Sequence, residues 1–186
     1  MNNFEITNHF ASFYPLGQPF MTALSKALIH KQFKKGDVLR RNGHTPMIWY
    51  VQDGLAKGYY QDQEGKEHVT RFWKQDQVML LASGPGHQTA ADRIMLLEDS
   101  RLSTFSDSSI LYLYHTFAEA PKLSSKIILN DRNYSEQRSF LCSLPTAQGY
   151  AEFQENFPAE RLLLKDIASY LETTPGRISE IRRNID

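Results

Sequence analysis

The segment Leu164 to Arg183 constrains this chain more than any other. It reads Leu-Lys-Asp-Ile-Ala-Ser-Tyr-Leu-Glu-Thr-Thr-Pro-Gly-Arg-Ile-Ser-Glu-Ile-Arg-Arg. Ile167, Ala168 and Leu171 share one helical face at i, i+1 and i+4, which predicts a helix from about Leu164 to Leu171. Ala168 is small where two helices must cross closely. A second helix has a clean start. Thr174 suits an N-cap, and Pro175 occupies a first-turn position where its missing N–H costs nothing. Ile178, Ile181 and Ile185 form its inward stripe. Two short helices joined by so tight a turn make a helix-turn-helix. In DNA-binding examples of that motif the second helix enters the major groove, with its early residues at base edges.

The outward residues of this second helix are the candidate DNA contacts. At a helical period, Gly176, Glu180 and Arg183 face away from the isoleucines, flanked by Ser179. Glycine presents no side chain, and Glu180 can only accept a hydrogen bond, as from cytosine N4. Arg177 stands in the first turn, where a cation opposes the helix dipole. A neighbouring phosphate or base would account for it, and so would simple solvation. Arg182 and Arg183 near the helix end are favoured by the dipole with or without DNA. Lys165, on the first helix, is placed to reach a backbone phosphate, and Thr174 completes the set.

Composition leaves few alternatives. At 186 residues the chain has room for one large or two small domains, and 41% hydrophobic with 23% charged residues is ordinary for a globular protein. No apolar run approaches the roughly 18 residues of a membrane span. The start, Met1-Asn2-Asn3-Phe4-Glu5, lacks the basic and apolar regions of a signal peptide. Cys142 is the only cysteine, so no intrachain disulfide forms and a reducing cytoplasm is the expected location. Net charge is zero. Beyond residue 160, Arg161, Lys165, Arg177, Arg182 and Arg183 face Asp166, Glu172, Glu180 and Asp186, an excess of one positive charge. A nucleic-acid surface here must be local.

Three regions are expected: a sensor-like domain over residues 1–115, a long helix within 116–145, and a helical domain over 146–186. After a short helix around Phe20 to Leu28, the stretch from Phe33 to Phe105 is β-rich. Met47–Val51, Leu55–Tyr60, Val69–Trp73, Ile94–Leu97 and Arg101–Phe105 are aromatic or β-branched runs. Turn signals separate them at Asp53-Gly54 and Glu64-Gly65, which suggests a sandwich or small barrel. Ser106 to Ser109 starts a helix before Ile110. A longer helix is predicted from about Pro121 to Leu144. Leu123, Ile127, Asn130, Tyr134, Gln137, Leu141 and Leu144 alternate there in steps of four and three. That seam fits a two-stranded coiled coil making a homodimer, with Asn130 fixing register; the alternative is a helix packed on its own domain.

A β-roll, a long helix and a helix-turn-helix, in that order, resemble the cyclic-AMP receptor/Fnr (Crp/Fnr) family of bacterial transcription regulators. Phe33-Lys34-Lys35-Gly36-Asp37-Val38-Leu39 with Gly43 is similar to the family's opening "KKGDxLxxxG". Trp49 to Lys57 resembles its "hhhVxxGxhr" strand pair, and Leu97-Glu98-Asp99-Ser100-Arg101-Leu102 its "LxDSxL" element. Leu164 to Leu171 is close to "lplkdIAsyLG". The likeness covers nearly the whole chain and is strongest to short, wing-poor members; the sequence ends three residues past Arg183, so no two-stranded wing is expected. The resemblance implies an α+β fold: an N-terminal β-roll (a double-stranded jelly roll of the cyclic-nucleotide-binding kind), a long dimerisation helix and a C-terminal helix-turn-helix. It implies double-stranded DNA, a second copy and RNA polymerase as partners, and no membrane.

The same resemblance implies a small-molecule pocket, and the residues there depart from the pattern. Nucleotide-binding members carry Gly-Glu early in a loop and arginine late, the arginine pairing with the cyclic phosphate. Here that loop would run from Lys74 to Ala91; counting back from Leu97, the arginine position is about Ala90, and no Gly-Glu precedes it. A buried phosphate without its charged partner typically loses roughly 2–5 kcal/mol. Tight cyclic-AMP binding is therefore not expected. Met79, Leu80, Ala90, Ala91 and Arg93 are the candidate pocket residues for some other effector, of unknown identity. The recognition helix departs too: members usually carry Glu and Arg where Gly176 and Glu180 stand.

Catalysis and metal binding find little support. The six histidines include no His-x-His of the cupin kind, so no metal site and no cofactor are expected. No nucleophile elbow, P-loop or paired-carboxylate signature is present. Cys142, beside Leu141, suits packing. Two readings stand: a dimeric one-component transcription regulator, not an enzyme, or a ligand-sensing or protein-interaction module whose degenerate helix-turn-helix no longer reads sequence.

Overall fold

The first half of the molecule forms two four-stranded antiparallel sheets whose interior strands carry continuous buried runs, residues 49–52 in one and 56–59 in the other. The computed structural model describes residues 3–40, 47–81 and 93–185. Strands β1 (Ile29–Phe33), β8 (Ser100–Thr104), β3 (Ile48–Asp53) and β6 (Val78–Leu80) form one sheet in that order. Strands β2 (Val38–Arg40), β7 (Arg93–Leu96), β4 (Ala56–Gln61) and β5 (Glu67–Trp73) form the other. Helices α1 (Asn3–Phe13) and α2 (Gln18–Ala27) precede them; α3 (Asp107–Thr116), α4 (Glu119–Ser143), α5 (Thr146–Asn156), α6 (Leu164–Tyr170) and α7 (Pro175–Ile185) follow.

The predicted turns carry the roll. Gly54 has φ +121°, and a Cβ there would stand 2.1 Å from Ser100 Oγ, so only glycine fits between β3 and β4. Asp62 Oδ1 accepts from the Glu64 and Lys66 amides and closes the β4–β5 hairpin.

Three apolar layers stack through the molecule. Between the sheets, Leu39, Trp49, Val51, Ala56, Trp73, Met79, Ile94, Leu96 and Leu102 fill the roll. Tyr50, Val78 and Phe105 face outward from the first sheet and meet Ile6, Phe10, Phe20 and Leu24 of α1 and α2. Leu55, Tyr59, Val69 and Phe72 face outward from the second and share one core with Tyr150, Phe153, Phe157, Ile167, Tyr170, Ile178 and Ile181. The C-terminal helices thus pack directly on the roll.

Three sequence expectations are corrected. The N-terminal layer has two helices rather than one; α1 buries Ile6 and Phe10 at i, i+4 spacing. The stretch after Lys74 is not all loop, because β6 pairs with β3. The heptad seam on α4 is covered at both ends by the chain's own layers. Leu123 (5% exposed) and Ile127 (6%) belong to the N-terminal layer, and Leu141 (3%) to the C-terminal one. Asn130, Tyr134 and Gln137 between them are half-buried. Heptad spacing states that one helical face is apolar, not which neighbour covers it. The outward face instead carries Ile128, Leu129 and Phe140, all more than half exposed.

Candidate nucleic-acid interface

α6 and α7 form the predicted helix pair. Thr174 caps α7: its Oγ1 accepts from the Arg177 amide at 3.2 Å. Ala168, Ile178 and Ile181 are buried as the spacing predicts; the Ile185 side chain lies outside the described residues. Between the helices Glu172 adopts φ +53°, the left-handed conformation that ends many helices. Upstream, Gly149 of α5 lies so close to α4 that a Cβ would meet the Leu141 carbonyl oxygen at 2.7 Å, which lets α5 seat under the motif.

The outward face of α7 carries Gly176, Arg177, Glu180 and Arg183, all exposed, with Ser179 half-buried beside them. It is largely self-neutralised, since Arg177 and Glu180 pair at 2.7 Å. At Gly176 an added Cβ would meet open space. Arg183 has no carboxylate partner among the described residues. Lys165 is exposed at the start of α6. Arg182 departs from the expected set. Its guanidinium donates to Tyr150 Oη at 2.6 Å and to the Ala159 carbonyl at 2.9 Å, and stacks over the Tyr150 ring. It ties α7 to α5 instead of facing outward.

The candidate effector residues do not converge. Met79 is fully buried inside the roll, whereas Leu80, next on β6, packs on the outer face against the N-terminal layer. Successive strand residues face opposite ways, so the two cannot line one pocket. Arg93 opens β7 next to inward-facing Ile94, on the outer face, and donates to Gln61 Oε1. Ala90, Ala91 and Gly43 lie outside the described residues. Among the described residues, no three His, Cys, Asp or Glu side chains gather as for a metal ion, and no helix is long and apolar enough to cross a membrane.

Several polar groups that join the motif to the roll carry no signal in a single sequence. Lys57 of β4 reaches Asp166 of α6 at 2.9 Å and Glu67 of β5 at 2.8 Å. Those two carboxylates meet at one ammonium group from opposite sides of the interface. The Val69 amide of edge strand β5 donates to Ser169 Oγ at 2.9 Å. Arg71 of β5 grips α4 through both carboxylate oxygens of Asp131, at 3.0 and 3.1 Å, and through Ser135 Oγ. Arg138 of α4 pairs with Glu172 in the turn of the motif at 3.0 Å. Burial pushes the Tyr170 phenol up to about 12, the Arg138 and Arg71 cations opposing it.

No family model matches the sequence, and no curated protein is similar enough to be recognised. Solved structures are. FixK2 from Bradyrhizobium japonicum superposes with a TM-score of 0.70 at 16% identity, over 85% of this chain and 84% of that one. A transcriptional regulator of the Crp/Fnr family from Eubacterium rectale gives 0.69 at 16% identity, over 95% and 87%. A CooA variant from Carboxydothermus hydrogenoformans gives 0.63 at 14% identity, over 99% and 84%. The chain therefore has, along nearly its whole length, the fold of the Crp/Fnr transcription regulators: a cyclic-nucleotide-binding-like roll, a long helix and a C-terminal helix-turn-helix.

Proposed function

We propose that this chain is a DNA-binding transcription regulator of the Crp/Fnr type, cytoplasmic, homodimeric and without catalytic activity. One observation carries the reading: a Thr174-capped second helix that buries Ile178 and Ile181 while leaving Gly176, Arg177, Glu180 and Arg183 open to solvent. Lys165, Thr174 and Ser179 border that face and would contact DNA with it; Arg182 supports it from behind. The dimer forms through the outward face of α4, where Ile128 (60% exposed), Leu129 (53%) and Phe140 (56%) have no cover among the described residues. Two recognition helices related by a two-fold axis then address half-sites about 34 Å apart. RNA polymerase is a further partner. The roll does not bind cyclic AMP tightly, a reading supported by Trp49, Trp73 and Met79 packed between its sheets.

Fluorescence anisotropy tests the reading. The duplex upstream of the chain's own gene is compared with a scrambled duplex at two salt concentrations. Preference for the native duplex, with affinity falling steeply as salt rises, is the expected result. Arg183→Ala then weakens binding and lowers the salt slope by about one if it meets a phosphate. Binding without preference, insensitive to salt, would favour a ligand-sensing or interaction module instead. The internal Arg177–Glu180 pair and the bare Gly176 are what favour that second reading.

A further inference from the structure

Lys57 lies on β4 with its side chain on the outer face of the sheet, and it is 2% exposed. Its ammonium donates to Glu67 of the same sheet and to Asp166 of α6, which is 109 residues away in sequence. Asp166 is 3% exposed, and its second carboxylate oxygen is buried without a hydrogen-bond partner among the described residues. Lys57 and Asp166 would each be costly to bury alone, so they hold each other in place, while Glu67, 31% exposed, completes the group from a partly solvated position. Ser169, one turn beyond Asp166 on the same face of α6, accepts from the backbone of β5. One face of α6 is therefore bonded to the roll, while α6 and α7 share a core.

Apolar contact is non-directional and tolerates sliding, whereas ionic and charge-assisted bonds specify register. The bonds run on from here. Arg71, on the same strand as Glu67, is clamped bidentately to Asp131 of α4. A polar chain thus links the long helix to the recognition motif through β5: Asp131, Arg71, the strand, then Glu67, Lys57 and Asp166.

We infer that Lys57 is a positioning residue for DNA recognition: with Glu67 and Asp166 it sets the angle at which α6 presents α7 relative to the roll and α4. The inference rests on the DNA-binding reading above. It predicts that the triad governs how two half-sites are spaced and leaves contact with a single half-site alone.

The test uses the full chain, Lys57→Met, and the triple variant Lys57→Met, Glu67→Gln, Asp166→Asn, which leaves no stranded carboxylate. Wild-type protein selects duplexes from a random pool, and these are then remade with one half-site, with both, and with base pairs inserted between them. Amide hydrogen exchange is followed alongside, with fluorescence of Trp49 and Trp73 reporting the roll. In the triple variant, single half-site affinity is expected to stay within about twofold of wild type, while the preference for native spacing falls about tenfold. Exchange should rise in α6, α7 and at Val69, and stay unchanged in β3 and β8. Retained spacing preference, or unchanged exchange in α6, would overturn the inference. So would a parallel loss of both affinities with the tryptophan signal, because Lys57 would then be merely structural. If the wild-type chain selects no duplex, the DNA-binding reading fails, and exchange in α6 alone decides whether the triad holds the motif.

Discussion

The two sides of the helix-turn-helix are built to different standards. Its inner side is heavily specified. Phe72, Phe153, Phe157 and Tyr170 form a ring cluster with centroids 5.1 to 6.1 Å apart, and Lys57, Asp166 and Ser169 bond across the same interface. Its outer side offers one glycine, one internally paired arginine, one glutamate and Arg183. The difference shows where sequence information resides in this chain. Most of it orients the motif, and little is left to discriminate bases. On the DNA-binding reading proposed above, shape and spacing of the DNA would then matter more than direct readout.

The largest perturbation should come from the inner side. Phe153→Ala removes a fully buried ring from the cluster and is expected to cost about 3–5 kcal/mol, read as a lower urea midpoint for the whole chain. A change confined to the C-terminal helices, with the roll unmoved, would mean that the shared core is not cooperative. On the boundary between the two sides, Thr174→Ala removes the α7 cap and should cost about 1 kcal/mol. On the outer side, Gly176→Ala meets no neighbour and should stabilise by about 0.5–1 kcal/mol through helix propensity. A loss of stability there would show that α7 is tighter than its open surroundings imply.

The smallest expected effect lies at α1 and contrasts a half-buried titratable group with the exposed charges of α7. His9 packs against Phe13 and Tyr50, and its Nε2 is buried without a hydrogen-bond partner among the described residues. Burial holds its pKa below the ordinary 6.5, and Asp76, bonded to the Tyr50 hydroxyl, opposes that only in part. The folded state thus favours neutral imidazole. Its contribution is fully present above pH 6.5 and is lost as pH falls from there toward the depressed folded value. Urea midpoints at neutral and mildly acidic pH should therefore fall more for wild type than for His9→Gln. Equal falls would exclude His9 as the source.

Local signals in the sequence were enough for much of the architecture. Gly54 and Gly65 mark turns because both take positive φ. Thr174, Pro175 and the isoleucines mark α7 because caps and periodicity act within a few residues. The same locality explains the errors. The Leu123–Leu141 spacing was legible, but its partner was the chain's own layers. Arg182 lay near the predicted outer face, yet Tyr150, 32 residues upstream, draws it inward. Met79 and Leu80 were grouped because the short strand β6 was read as loop, and its alternation was missed.

What the sequence determined by itself is a set of elements, their order and their apolar faces, since these depend on neighbours along the chain. What only the tertiary structure decided is which faces meet: the seam of α4 turned inward, the C-terminal helices seated on β4 and β5, and Lys57 shared between Glu67 and Asp166. Burial makes a charge depend on partners that lie far away in sequence, and a single sequence carries no record of that distance.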